Sequence, residues 1–170
     1  MLYIAVILGI AVLVALYFLN QRSATPSLRE DTPLPYKKKD YLLTKSERAF
    51  FDVLLPTIKN EYHVFTKVNM WDLFFLPKGT QNRMKWRGHV SQKHVDFVLC
   101  DLKNLKPIVC IELDDASHEE EDRQERDALV DRIFSSAGLP LLHVRATPTY
   151  DPTFIKTQIN NILISTKKTA

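Results

Sequence analysis

The sequence predicts a mixed α/β domain that follows one long apolar helix. The chain begins with eighteen uncharged residues, Leu2 to Leu19. Two later segments start with helix-capping signals, and four short β-rich runs lie between and after them. The predicted order is helix, three strands, helix, strand, helix. A strand–helix–strand crossover after a meander indicates a sheet of mixed direction.

The first element is the apolar segment, assigned to residues 1–20. As a helix, eighteen residues span about 27 Å, close to the roughly 30 Å hydrocarbon core of a bilayer. Tyr17 stands near one end, where an aromatic anchor is expected. The alternative is a cleaved signal peptide, which requires a basic start and a small-residue cleavage site. The chain instead begins with the uncharged "MLYIAV", and only "QRSA" offers small residues after the segment. We therefore expect a retained transmembrane helix that places residues 2–19 in the membrane.

Charge around this segment predicts its orientation. No Lys or Arg precedes it, whereas Arg22, Arg29 and residues 37–39 follow it. Basic residues stay cytoplasmic, so we expect the N-terminus outside and the larger C-terminal part in the cytoplasm. Cys100 and Cys110 fit a reducing compartment as buried free thiols. The net charge of +3 is too small to indicate nucleic-acid binding by itself.

After the anchor, residues 21–40 are polar and contain three prolines, which predicts a flexible linker. One compact domain is expected over residues 41–166, followed by a tail at 167–170. The domain opens with a capping box, in which Thr44 is the N-cap and Glu47 the third helical residue. The apolar stripe of this helix ends near Pro56.

The remaining elements follow from alternation and from helix end signals. Residues 70–76 are ambiguous between strand and short helix, and the apolar pattern disappears over residues 77–94. Ser117 and Glu120 form a second capping box, and Gly138 stops the helix that follows. A closing helix is predicted over residues 151–164. The predicted strands cover residues 62–68, 95–101, 107–115 and 140–144.

Acidic residues gather at the end of the strongest hairpin. Side chains alternate along a strand, so Glu112 and Asp114 point to the same face. A turn centred on Asn104 places Asp96 directly opposite Glu112. Because like charges opposite each other destabilise a sheet, three converging carboxylates predict a divalent cation such as Mg²⁺. The alternative is that the strand ends near Glu112 and the acids are solvated turn residues.

Two further residues are candidates for the same site. His118 lies near the start of the second helix, where it is either a surface histidine or a general acid or base. The capping box already explains Glu47. Its carboxylate could nevertheless reach the acids if the first helix packs beside the hairpin.

The segment just before the acids is basic. Residues 77–94 contain five Lys or Arg residues and no acid. Cations with an interleaved aromatic suit phosphate binding and base stacking, although a flexible polar loop is the alternative. The predicted nucleic-acid contacts are Arg83, Lys85, Trp86, Arg87 and Lys93.

The stretches "VDFVLCD", "PIVCIELDDASH" and "GLPLLHVRA" resemble the PD-(D/E)XK nuclease superfamily. They look most like its very-short-patch-repair endonuclease-like branch, whose motif often reads E-x-D-G-x-x-H. Residues 41 to about 164 also resemble a bacterial family of unknown function assigned to that fold. Some members of that family follow a membrane segment. The resemblance implies a restriction-endonuclease-like αβββαβ core behind one transmembrane helix, at the bacterial inner membrane.

Site residues are implied where positions match the motif. Asp96 and Glu112 occupy the metal-binding acids, for Mg²⁺ or Mn²⁺, and Asp114 matches the E-x-D variant as a further ligand. His118 matches the trailing histidine, and Glu47 corresponds to the frequent helix carboxylate. The sequence departs from the pattern because no Lys stands two residues after Glu112. Candidate replacements are Lys93 and Arg126.

The implied function is metal-dependent hydrolysis of phosphodiester bonds in DNA or RNA. The alternative is a catalytically inactive module of the same fold. Such a module would bind nucleic acid or a protein partner at the inner membrane.

Overall fold

The structure is a computed structural model that describes residues 2–22, 33–114 and 121–169. The chain divides into two compact units, Met1–Asp40 and Tyr41–Ala170. Each unit is described by itself below.

The first unit contains helix α1, Leu2–Arg22, which confirms that the apolar segment is helical. Its described side chains are exposed, with Tyr3 and Leu13 among them. Among the described residues, no helix is both long and apolar enough to cross a membrane. The membrane anchor and the location of the protein stay predictions.

The second unit is a mixed α/β domain with the predicted order and one additional helix. Its helices are α2 (Lys45–Ile58), α3 (Arg83–Val90), α4 (Glu121–Ala137) and α5 (Pro152–Thr169). Its strands are β1 (His63–Asn69), β2 (His94–Cys100), β3 (Pro107–Asp114) and β4 (Leu141–Arg145). A single 3₁₀ turn, Met70–Asp72, follows β1 and settles the ambiguous segment in part.

The four strands form one sheet in the order β1-β2-β3-β4. The first two pairings are antiparallel, and β3 pairs with β4 in parallel. The parallel pair requires a crossover, which α4 supplies. The sheet is therefore of mixed direction, as predicted.

Each face of the sheet carries its own apolar core. Phe50 of α2 packs on Phe97 of β2 with ring centroids 5.2 Å apart, and Ile155 and Ile159 of α5 join the same cluster. On the other face, Phe134 of α4 packs in a cluster with residues of β2, β3 and the 3₁₀ turn. Both predicted cysteines are buried and free in this sheet.

Helix α2 begins with the predicted capping box but ends later than predicted. The side chain of Thr44 accepts a hydrogen bond from the backbone N–H of Glu47, and the Glu47 carboxylate accepts one from the N–H of Thr44. Pro56 lies inside the helix instead of ending it. The last turn is held by burial of Leu54 and Ile58 in the core, which outweighs the one hydrogen bond that proline cannot donate.

Helix α3 was not predicted, because residues 77–94 show no apolar periodicity. The helix is short and polar, so its stability comes from tertiary contacts rather than from an apolar stripe. Only Val90 of α3 is buried. The Arg87 guanidinium lies 5.2 Å from the centre of the Trp71 ring, a cation–π contact that fixes the helix to the 3₁₀ turn.

The C-terminal elements differ slightly from the prediction. Helix α4 stops at Gly138, which has φ +66°, as its glycine predicted. Helix α5 runs on to Thr169, so its predicted end at 164 is wrong. Basic residues near a helix C-terminus interact favourably with the helix dipole, which favours the extension. The predicted capping box at Ser117 and Glu120 lies outside the described residues.

Candidate functional site

The hairpin of β2 and β3 has the predicted register. Phe97 pairs with Ile111 and Val98 with Cys110, and one more step in this register places Asp96 beside Glu112. Beyond Phe97 the Asp96 side chain joins the two strands, because its Oδ2 accepts a hydrogen bond of 3.0 Å from the backbone N–H of Leu113. The turn is fixed by the Asp101 carboxylate, which accepts from the N–H groups of Asn104 and Lys106.

A lysine on β1 faces Asp96. The β1–β2 register pairs residues 66 and 68 with residues 97 and 95, so Lys67 lies opposite Asp96. The Lys67 ammonium donates to Asp96 Oδ1 at 2.8 Å and to Glu47 Oε1 at 2.5 Å. Lys67 has φ +54°, a left-handed conformation that is uncommon for a residue with a side chain. We call Glu47, Lys67 and Asp96 the Lys67 cluster.

The Lys67 cluster is partly buried, and its opposite charges form two ion pairs that share the Lys67 ammonium. The side chains of Lys67, Glu47 and Asp96 are 31%, 10% and 16% exposed. Burial alone would raise the pKa of the Glu47 carboxyl, but the Lys67 and Thr44 hydrogen bonds outweigh it and lower that pKa. Burial likewise opposes the Lys67 charge, and the two carboxylates raise the pKa of Lys67 above its ordinary value. Both shifts favour the charged forms of Glu47 and Lys67.

A histidine holds the second group of acids. Strand β4 places His143 directly beside Glu112 in the parallel register. His143 Nδ1 lies 3.1 Å from Asp114 Oδ2, and its Nε2 lies 3.0 Å from Asp131 Oδ1 on α4. Burial lowers the pKa of His143, but the bonds to Asp131 and Asp114 outweigh it and raise that pKa. We call Asp114, Asp131 and His143 the His143 cluster, in which the ring bridges two carboxylates.

Glu112 lies between the two clusters. Burial raises the pKa of the Glu112 carboxyl, the His143 charge opposes this, and the charges of Asp96 and Asp114 raise the pKa further. Among the described residues, Glu112 has no hydrogen-bond or ion-pair partner. It lines a small pocket of about 150 Å³. The other residues that line this pocket are Met70, Lys93, His94, Asp127, Val130 and His143.

The donor set suits a hard cation only in part. Mg²⁺ takes one or two carboxylates and completes its shell with water and phosphate oxygens, and Glu112 and Asp96 are the two neighbouring carboxylates that would hold it. Within the described ranges, no group of three or more His, Cys, Asp or Glu side chains is arranged as a metal site. The predicted trio is thus not found as one group, because Asp114 is bound to His143. A metal here stays a prediction.

The predicted nucleic-acid residues have different surroundings. Arg83 donates to the backbone carbonyls of Leu76 and Pro77, and Arg87 covers Trp71, so both hold α3 in place. Lys85 and Trp86 are exposed on α3. Lys93 lies in the wall of the Glu112 pocket and so links the basic segment to the acids.

Two of the other predicted positions cannot be compared with the structure. His118 lies outside the described residues, and the side chain of Arg126 is not described. Glu47 is joined to Asp96 through the Lys67 ammonium, which both carboxylates share, and it caps α2 at the same time.

The sequence prediction missed Lys67 and His143. Lys67 could have been found by aligning the first predicted strand against the second, because an opposite-charge pair with Asp96 is favourable across a sheet. No such signal marks His143. A parallel register across a crossover depends on helix packing and cannot be derived from the hairpin turn.

A comparison with known protein families matches a range that begins close to the start of the second unit. A family model described as Protein of unknown function (DUF2726) matches residues 39–162. The chain belongs to this family. No curated protein and no solved structure matches the chain. The matched range contains both clusters, Glu112 and α3, so the whole described site lies within the family domain.

Proposed function

We propose that the second unit is a nuclease domain of restriction-endonuclease-like fold that hydrolyses phosphodiester bonds in DNA or RNA with Mg²⁺ or Mn²⁺. One observation carries the proposal. The Lys67 ammonium lies 2.8 Å from Asp96, on the strand next to the one that carries Asp96. The sequence lacks the lysine of the PD-(D/E)XK motif two residues after Glu112, and Lys67 brings an ammonium group to Asp96 from the neighbouring strand.

The arrangement of the elements supports the same fold. The order α2, β1, β2, β3, α4, β4 is the αβββαβ order of the resemblance. Asp96 and Glu112 stand on adjacent hairpin strands in a register that brings them together. Fold alone does not give function, so the proposal rests on the side chains and not on the topology.

Each residue has a distinct role in this proposal. Glu112 and Asp96 would hold the metal, which when bound polarises a phosphoryl oxygen and lowers the pKa of water. Lys67 holds Asp96 and Glu47 in position and adds positive charge where the phosphate must approach. Lys93, in the wall of the Glu112 pocket, is placed to bind a phosphate oxygen of the substrate.

The decisive variant is Glu112→Gln, which keeps the shape of the side chain and removes its charge. The full chain with Mg²⁺ or Mn²⁺ is expected to cut DNA or RNA. The variant is expected to lose activity by about a hundredfold or more, since even changes around metal ligands cost about 10- to 100-fold. Glu61→Gln makes the same chemical change in an exposed pair with Lys156 and serves as the matched control.

Equal activity of the Glu112→Gln and Glu61→Gln variants would contradict the proposal. So would a clean preparation that cuts neither single-stranded nor double-stranded DNA or RNA with either metal. Thermal unfolding of both variants separates a lost site from a lost fold.

The second candidate is an inactive module of the same fold that binds nucleic acid or a protein. It is favoured by the bonding of Asp96, whose two oxygens are already engaged by Lys67 and by the N–H of Leu113. Titration with Mn²⁺ separates the two candidates. Salt-dependent binding of DNA or RNA without metal uptake supports the module.

A further inference from the structure

Helix α3 presents two different faces. Arg83, Arg87 and Val90 recur at helical spacing and face the domain, since Arg83 binds backbone carbonyls, Arg87 covers Trp71 and Val90 is buried. The inward face thus uses two cations for structure. Of the other α3 residues, Met84, Lys85, Trp86 and Gly88 are exposed, and the Trp86 ring lies 5.8 Å from that of His89.

Two apolar side chains of α3 are exposed, Met84 at 79% and Trp86 at 45%. They lie on opposite flanks of the helix, and Lys85 between them points away from the domain. Phe75 is 84% exposed and precedes by one residue the Leu76 carbonyl to which Arg83 is bonded. Exposed apolar groups with polar neighbours are typical of interaction surfaces when they occur together. We call Phe75, Met84, Lys85 and Trp86 the α3 surface.

The surroundings of the α3 surface are positively charged. Residues 77–94 contain no Asp or Glu and five Lys or Arg residues. At the end of this segment, Lys93 enters the wall of the Glu112 pocket. A polyanionic chain lying on the α3 surface can therefore continue toward the acids.

We propose that the α3 surface binds single-stranded nucleic acid by stacking unpaired bases on Phe75 and Trp86. The inference rests on the proposed function and names the substrate class of that site. Lys85 contacts the backbone phosphates, and Met84 packs against the edge of a base.

The side chains of the α3 surface favour single-stranded nucleic acid over a duplex or an anionic membrane. Unpaired bases offer their faces to aromatic side chains, whereas a duplex offers mainly phosphates to lysine and arginine. A duplex surface needs cations but no exposed Phe or Met. An anionic membrane would also accept aromatic and basic groups, but it has no reason to be aligned with the Glu112 pocket.

The test measures binding without cleavage. The full chain is titrated in EDTA with a labelled 20-nucleotide oligothymidylate and with a duplex of equal length, and anisotropy is recorded. The single strand is expected to bind at least tenfold more tightly. Phe75→Ala and Trp86→Ala are each expected to weaken that binding about 5- to 100-fold, because stacking contributes about 1–3 kcal/mol per base. Phe154→Ala removes an exposed aromatic ring on α5 and is expected to change nothing.

Equal or tighter binding of the duplex would overturn the inference, and so would unchanged binding in both Phe75→Ala and Trp86→Ala. A third contradicting outcome is that the chain binds anionic phosphatidylserine vesicles through these rings and does not bind the oligonucleotide. Parallel cleavage with Mn²⁺ separates the two claims. Cleavage without single-strand preference removes this inference alone. Single-strand binding that depends on Phe75 and Trp86, with no cleavage, supports it and removes the proposed hydrolysis alone.

Discussion

Lys67 is the residue on which the charged end of the sheet depends. Its ammonium group is shared by a carboxylate from α2 and one from β2, both of them largely buried. Removing one member of such a group costs more than the pair contributes, because the remaining charges stay desolvated without a partner. The stabilising role of Lys67 is therefore testable without any substrate.

We expect Lys67→Met to lower the free energy of unfolding by about 2 kcal/mol, because Glu47 and Asp96 lose a charged hydrogen-bond donor. Lys156→Met is the matched control, since Lys156 pairs with Glu61 in a largely exposed pair worth about 0.5 kcal/mol. Urea midpoints at pH 7 give both values if the slopes are unchanged. Equal losses for the two lysines would show that the Lys67 pairs are no stronger than a surface pair.

Strand β1 is irregular at the position of Lys67. Its neighbours at 66 and 68 keep their pairing with β2, while Lys67 itself has φ +54°. For an L-residue this conformation costs roughly 1–2 kcal/mol. The ion pairs with Glu47 and Asp96 offset that cost, so the strand tolerates a distortion that aims one side chain at the site.

Because of this distortion, we expect the relative stability of Gly and Ala variants at position 67 to be the reverse of that at a regular strand position. Lys67→Gly is expected to be more stable than Lys67→Ala by about 1 kcal/mol, because glycine adopts positive φ without steric cost. At the neighbouring Thr66, which continues the regular pairing, Ala is expected to be more stable than Gly. Thermal unfolding of the four variants checks both orders. The same order at both positions would argue against a distorted strand.

Local sequence signals predicted most of these elements for physical reasons. Alternation identifies β2 and β3, and the short loop between them limits the possible registers, so Asp96 and Glu112 could be paired in advance. The α2 cap is a four-residue signal. Helix α3 carried no such signal, because a cation–π contact and one buried valine hold it to residues distant in the sequence.

The candidate site was predicted less completely than the fold. The acids were identified, but their counter-charges were not, because Lys67 and His143 reach them from other strands. The prediction assigned a metal ion to these acids and did not include the ammonium and the imidazole that contact two of them. The pairing of adjacent hairpin strands could be predicted, but the charged contacts from β1 and β4 were not.

At the scale of the molecule, His143 connects three elements. Its ring joins Asp114 of β3 and Asp131 of α4 to its own strand β4. The imidazole of His143 thus links all three elements of the β3–α4–β4 crossover. Stability of the whole domain is therefore expected to depend on pH above the range of carboxylates.

The pKa of His143 is raised in the folded state, above the ordinary value of about 6.5. Its bonds then contribute stability that is fully present below pH 6.5 and is lost as pH rises through the folded pKa. We expect the urea midpoint of the full chain to fall as the pH rises above 6.5, and His143→Gln to flatten that fall. The raised pKa of Glu112 acts in the same direction but at lower pH.

Asp131→Asn provides the control, because it removes one of the two carboxylates that raise the pKa of His143. The fall in the urea midpoint is then expected to begin at a lower pH than in the unchanged chain. A fall that persists unaltered in His143→Gln would assign it to another group.

The two thiols in the middle of the sheet have a practical consequence. Cys100 and Cys110 are almost completely buried, and burial raises the pKa of Cys110 to about 12. Alkylating reagents attack the thiolate, so these sulfurs can react only after the strands have separated. Their rate of alkylation under native conditions therefore measures how often this part of the sheet opens. The measurement needs no label beyond the native cysteines.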